Sequence, residues 1–290
     1  MLCNSPIEGC FANISQQEST FFQVGLANLT AWGSAGQTGA VGNLEVVAAV
    51  AAQEEVHVAS IQTLLSANGA TTIAPCKYHF PVTNAEEFFA LANIITVVGI
   101  GAIFDLQDLF SKTDPGLEAS TSAIVSVESR HDAFFRLIGG EIPNPTPFDT
   151  RISGVWAYNL ALDFIIPGSC GSGLPASITG LPVLPPLGLV GAGDPAFAST
   201  NYQTQLTFAV NTGAMPNGWN NKPLFIGWVN QVNAVIYTPV TVVNGYQLQT
   251  PVPAGLNGMA FVALTGQNTA SDIAGLTSAT MAGPLPIPIS

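Results

Sequence analysis

The stretches Ala52-Gln53-Glu54-Glu55-Val56-His57-Val58 and Val127-Glu128-Ser129-Arg130-His131 each place a glutamate three residues before a histidine. On an α-helix, residues i and i+3 share a face, so each stretch presents a carboxylate and an imidazole side by side. The chain has only three histidines, and two of them fall in this pattern. A single Glu-x-x-His arises often on solvated helix faces; two of them on largely apolar helices are more specific. Val50, Val58 and Ile61 flank the first pair, and Ile124, Val127 and Phe135 flank the second. A buried Glu–His pair needs compensation for its lost hydration, and a metal cation satisfies both groups at once.

Working outward, the residues around these motifs read as helices. Asn43 caps a segment running to Ala67, with Glu45 in its first turn and Asn68-Gly69 as its stop. Ser15 to Leu29 forms a helix before it. Thr83-Asn84-Ala85-Glu86 reads as a capping box opening a third helix that runs to about Phe110. Leu117 to Ile138 is the fourth, closed by Gly139-Gly140. Four long helices joined by modest loops predict a four-helix bundle, with both motifs converging on its axis from the second and fourth helices.

In bundles that hold two metal ions, each of the other two helices adds one glutamate. Glu18 is the only acid of the first helix and suits that role, as a terminal ligand to the ion held by His57. The third helix departs from the pattern. Its ligand position falls near Thr96, whereas its acids are Glu86, Glu87, Asp105 and Asp108. Asp105 is displaced by about 13 Å along the helix axis, and Glu87 by as much the other way. The expected set is therefore Glu18, Glu54, His57, Glu128 and His131, with Thr96 at an open or substituted position. A single ion held by Glu18, Glu54, His57 and Glu128 is the alternative occupancy.

Beyond the bundle the character changes. Ser153 to Ile166 reads as a short fifth helix, and Gly168 to about Pro195 is a Gly- and Pro-rich linker. Short alternating runs follow at Gln203–Val210, Leu224–Val229, Ala234–Thr238, Val240–Val243 and Met259–Leu264, with Asn217-Gly218, Asn244-Gly245 and Asn257-Gly258 as turn signals. These predict a small immunoglobulin-like β-sandwich. The expected layout is α+β and multidomain: a helical bundle over 11–167, a linker over 168–195, a β-sandwich over 196–282 and an extended Pro-rich tail over 283–290. Trp219 and Trp228 are candidate sugar-stacking platforms, with core packing expected of at least one.

Composition narrows the function classes. Only 8% of residues are charged and the formal net charge is −12. Such a Lys-poor, acidic surface argues against nucleic acid, whose phosphates need Lys and Arg, and against anionic membranes. Leu91 to Phe104 is apolar but short for a bilayer span. Four cysteines, Cys3, Cys10, Cys76 and Cys170, fit two disulfides in an oxidising compartment, Cys3–Cys10 and Cys76–Cys170 being the expected pairing. The sequons at Asn13 and Asn28 fit a secreted glycoprotein. Met1 to Cys10 has neither a basic nor an apolar signal region, so a secreted protein would be represented here by its mature or truncated form. His79, in the loop before the third helix, is expected to make a structural hydrogen bond. Gly99-Ile100-Gly101 lies within a helix and lacks the strand context of a dinucleotide site.

Several stretches bring a family likeness. Gln17-Glu18-Ser19-Thr20-Phe21-Phe22 with Gly25-Leu26-Ala27, the first Glu-x-x-His stretch, Cys76-Lys77-Tyr78-His79-Phe80-Pro81-Val82-Thr83 and the second Glu-x-x-His stretch resemble the ferritin-like proteins that include plant desiccation-related and fungal secreted stress-response proteins. The likeness covers roughly residues 11–177, and the β-rich remainder resembles an appendage of the fungal branch. The resemblance implies a ferritin-like fold, Fe or Mn as the metal in one or two ions, and Glu18, Glu54, His57, Glu128 and His131 at ligand positions. Family members usually carry Glu in a Leu-Glu-x-Val-Gly stretch of the third helix, where this chain has Ile95-Thr96-Val97-Val98-Gly99.

Two functional expectations follow. One is a secreted metal-binding protein with oxidative or stress-protective chemistry, the position at Thr96 leaving a metal open to a small molecule. The other is a non-enzymatic, matrix-associated stress protein that keeps a relic, metal-poor bundle, with self-association or carbohydrate contact through the sandwich. A ferritin-type storage cage is disfavoured, because the additional sandwich would encumber a closed shell.

Overall fold

The computed structural model describes residues 6–34, 37–38, 41–67, 69, 74–170, 178, 180–191 and 204–289, with backbone alone for 6–11 and 37–38. The chain divides into two compact units, 1–143 with 161–181 and 144–160 with 182–290.

The first unit is a helical bundle of α1 (Pro6–Asn28), α2 (Asn43–Ala67), α3 (Ala85–Thr113) and α4 (Glu118–Ile138), with a short hairpin of β1 (Gln37–Thr38) and β2 (Val41–Gly42) before α2. The bounds of α2 coincide with those expected. α1 begins nine residues earlier than expected, at Pro6, a residue suited to the first helical turn. The cap of α3 lies one residue on from the predicted box. Asn84 is the N-cap and accepts from the Glu87 N–H, while Glu87 Oε2 accepts from the backbone and hydroxyl of Thr83. A turn around Pro115–Leu117 joins α3 to α4. α1 packs on α2 and α3, and α3 packs on α4. The link from α2 to α3 is the long crossover of this bundle type. It is tied down by the disulfide Cys76–Cys170, by a bridge between Tyr78 and Ile165, and by the hydrogen bond from His79 N–H to Phe164 O at 2.8 Å.

An aromatic layer fills the bundle interior. Phe21 stacks on Phe88 with centroids 4.8 Å apart, and Phe22 stacks on Phe135 at 5.3 Å. Gly25 makes this possible: a Cβ there would lie 2.1 Å from Phe88 Cζ. α3 is long and apolar enough to cross a membrane, contrary to the reading of Leu91–Phe104 as too short, but 83% of its most apolar window is buried within the fold.

The second unit is a β-sandwich. One antiparallel sheet has the order β3 (Leu187–Leu189), β4 (Gln205–Val210), β8 (Gln247–Pro251), β7 (Thr241–Val242); the other has β10 (Thr280–Ile289), β9 (Gly258–Thr265), β5 (Phe225–Asn230), β6 (Ile236–Pro239). In chain order these are the A-B-E-D and G-F-C-C′ sheets of an immunoglobulin sandwich. Leu206, Phe208 and Leu248 of the first sheet share one core with Ile226, Trp228, Val262 and Leu264 of the second. Where antibody domains stack the strand-C tryptophan on a disulfide, Trp228 packs edge-on against Phe208. Its indole N–H donates to Thr238 Oγ1 at 2.7 Å.

β9 is buried on both faces. α5 (Gly154–Leu162) and α6 (Ile273–Ala279) explain why: Trp156 and Ala157 of α5 and Leu276 of α6 are buried, and Leu276 lies over Gly227. Trp156 Nε1–H donates to Thr280 Oγ1, and Ser153 and Thr277 share a hydroxyl hydrogen bond. The helix expected over 153–166 thus spans Gly154–Leu162, and its residues 154–160 belong with the sandwich. The segment read as a linker contributes β3. The segment read as a tail is most of β10, an edge strand in which Pro284, Pro286 and Pro288 alternate with the residues that can donate to β9.

Candidate metal centre

α2 carries Glu54 and His57 into the bundle, and α4 carries Glu128 and His131, all four buried. The i, i+3 spacing sets each pair on one face, and the two faces meet. Glu54 Oε2 lies 3.2 Å from His57 Nδ1, and its Oε1 lies 3.1 Å from His131 Nδ1. Glu128 Oε1 lies 3.0 Å from His57 Nδ1, and its Oε2 lies 3.3 Å from His131 Nδ1. Each carboxylate therefore offers one oxygen to each imidazole. The ligand atoms of Glu54, Glu128 and His131 lie within 4.8 Å of one another.

The donor set fits a cation. Two ligands about 2.1 Å from one ion and at right angles are about 3.0 Å apart, which is the spacing found. Glu54 Oε1 accepts no hydrogen bond although it is buried; His131 Nδ1 approaches it out of line. A buried carboxylate oxygen without a donor is what a cation would satisfy. Mixed carboxylate and imidazole ligands suit first-row transition metals.

Protons do part of that work when no cation is bound. Burial lowers the His57 pKa, but contacts with Glu128 and Glu54 outweigh it and raise the imidazole to about 9. The same balance raises His131 to about 9. Glu128 is lowered overall, because the two imidazoles offset its burial. Glu18 is raised well above the usual carboxylate range by burial and by the charges of Glu128 and Glu54, with the Thr96 hydrogen bond opposing.

Glu18 reaches the cluster from α1, on the side facing α3. Thr96 Oγ1 donates to Glu18 Oε1 at 3.3 Å, and a Cβ on Gly99 would lie 3.2 Å from Glu18 Oε2. Thr96 is fully buried, so α3 gives this end of the centre a hydroxyl and a bare backbone instead of a carboxylate. The aromatic layer begins one turn along α1 and α4, at Phe21, Phe22 and Phe135. Ile14, Ile61 and Ile100 lie about one turn the other way, all buried. Apolar walls on both sides strengthen every charge interaction between them.

One residue of the site was not anticipated from sequence. Gln53, on the exposed side of α2, accepts a 2.6 Å hydrogen bond from His131 Nε2 through its Oε1. Its position directly before Glu54 was the available signal.

The remaining candidates lie elsewhere or do other work. His79 is exposed in the crossover and is not among the cluster residues. Glu87 caps α3, and Asp108 pairs with Lys112 at 3.0 Å. Of the two expected disulfides, Cys76–Cys170 is present; Cys3 and the Cys10 side chain lie outside the described residues. Asn13 is buried, its Nδ2 against Cys76 Sγ at 3.6 Å, so a glycan on that nitrogen does not fit this packing. Asn28 Nδ2 donates to Val24 O. Trp228 is a core residue and so is excluded as a sugar platform, while Trp219 is half-buried against the same core.

No curated protein matches the chain. Residues 12–141, which span α2, α3, α4 and most of α1, match the family model of the Ferritin-like domain. Together with the crossover bundle and the buried Glu/Glu/His cluster at its centre, this match identifies the helical segment as a ferritin-like domain.

Proposed function

We propose that the ferritin-like domain binds two divalent transition-metal ions, Fe or Mn, in a five-ligand centre. Glu54 and Glu128 would be shared between the ions, His57 and His131 would each hold one, and Glu18 would add a further ligand. The observation that carries this reading is the reciprocal contact of both carboxylates with both Nδ1 atoms, at 3.0 to 3.3 Å. Fe or Mn in such a centre supplies one-electron chemistry with oxygen or peroxide. This chain's part is to hold the ligands in a dry bundle and, at Thr96, to leave room beside Glu18 for a small molecule. A secreted, stress-protective role accords with the Cys76–Cys170 disulfide and the low charge of the chain.

One observation favours the second reading, a relic bundle in a structural protein. The metal-free cluster is already compensated by two raised imidazoles facing two carboxylates. Elemental analysis separates the two readings. Protein prepared with iron and manganese in supply is expected to retain metal through gel filtration, and Glu54→Ala and His131→Ala are expected to lose it. Wild-type protein that stays metal-free after such preparation favours the relic.

A further inference from the structure

The two ends of the centre differ in how their imidazoles are held. His131 Nε2 lies 2.6 Å from Gln53 Oε1. An amide oxygen only accepts, so Nε2 carries the proton, and on a metal-bound neutral ring Nδ1 is left as a lone pair. That lone pair points at the space shared by Glu54 and Glu128. His57 has no corresponding Nε2 partner among the described residues, and its side chain is 11% exposed against 5% for His131.

We propose that Gln53 is a positioning residue for metal binding. It fixes the His131 tautomer and so strengthens the hold of Glu54, Glu128 and His131 on the ion at their end of the centre. The inference rests on the two-ion reading above. Outer partners of metal-bound histidines act this way in general: they set the ring's tautomer and orientation, and their loss costs about 10- to 100-fold in metal affinity. Gln53 lies on the outer side of α2, so its side chain can be changed without opening the core.

The test is a Mn(II) titration of metal-free wild type, Gln53→Leu and Gln53→Glu by calorimetry, with thermal melts of the metal-free proteins as a folding control. Gln53→Leu keeps the shape and removes the acceptor. It should weaken one of the two ions about 10- to 100-fold and leave the other unchanged. Gln53→Glu keeps an acceptor and should restore that affinity. Long-range proton–nitrogen NMR of the Zn(II)-loaded protein should show His131 protonated at Nε2, with that proton exchanging faster in Gln53→Leu. Wild-type affinities in Gln53→Leu, equal weakening of both ions, or Gln53→Glu as weak as Gln53→Leu would each overturn the role of Gln53. A wild type that binds no Mn(II) would overturn the two-ion reading itself, and this inference with it.

Discussion

Thr96 donates its hydroxyl to Glu18 Oε1 at 3.3 Å, so α3, which supplies no carboxylate, still holds the carboxylate of the neighbouring α1. The contact defines the open side of the centre, and it makes Thr96 the position where the site is most readily rebuilt. Thr96→Glu should raise the affinity of the centre for Mn(II) about tenfold or more, by adding a charged ligand. The same change should lower the melting temperature of the metal-free protein, because a further acid is buried beside Glu18 without a partner. Metal should then stabilise the variant more than wild type. Equal Mn(II) affinities in the two proteins would show that Thr96 does not border the ions.

Gly99 and Gly25 separate metal binding from packing. The three atoms nearest a methyl at Gly99 all belong to Glu18, with Oε2 at 3.2 Å. Gly99→Ala should therefore shift Mn(II) affinity with little change in stability. A methyl at Gly25 would meet three Phe88 ring atoms at 2.1 to 2.9 Å. Gly25→Ala should cost about 1–3 kcal/mol or more by overpacking, read as a lowered urea midpoint. If Gly99→Ala leaves binding untouched, Glu18 is not a ligand.

The pH dependence should change sign with metal. His57 and His131 are each raised from 6.5 to about 9 in the metal-free fold. The folded state then binds more protons than the unfolded chain between these values, so stability falls as pH rises through that window. Their contribution is complete below about pH 6.5 and is lost above about 9. Glu18, also raised, adds a loss in the same direction. A bound cation needs these groups deprotonated, so metal affinity should rise over the same window, and binding at pH 7 should release protons. Melts at several pH values with and without Mn(II), and calorimetry in buffers of different ionisation enthalpy, measure both effects. Parallel pH profiles with and without metal would count against the assignment.

The Cys76–Cys170 disulfide closes a loop of 94 residues that contains α3 and α4. On chain-entropy grounds such a loop stabilises by roughly 4 to 5 kcal/mol. Reduction, or Cys76→Ser, should lower the melting temperature of the helical unit while the sandwich unfolds as before. A single unchanged transition after reduction would show that the crossover is held without it.

Much of the bundle was legible because its signals are local. Asn43 and Gly69 bracket α2, and the i, i+3 spacing alone sets Glu54 beside His57. The cap of α3 slipped by one residue because Thr83 and Asn84 are adjacent rival caps, and Glu87 serves both. Non-local features were harder to read. Pro284, Pro286 and Pro288 point to an extended tail; only the edge register places this segment in β10, where the prolines need no donor. β8 has Leu248 as its one aliphatic residue, too little for an alternating pattern. α5 looked like a bundle helix because its apolar face does not say which core it joins. Gln53 carries no local signal of its role, since that role depends on a histidine 78 positions away.

Whether Glu54 and Glu128 would be shared between two ions is tested most directly by electron paramagnetic resonance of a Mn(II) titration. Two Mn(II) per chain are expected, with a spin-coupled signal that grows in as the second ion binds, both lost in Glu54→Ala. A wild-type protein that binds no Mn(II), or that saturates with an isolated six-line spectrum and one ion per chain, would contradict such sharing.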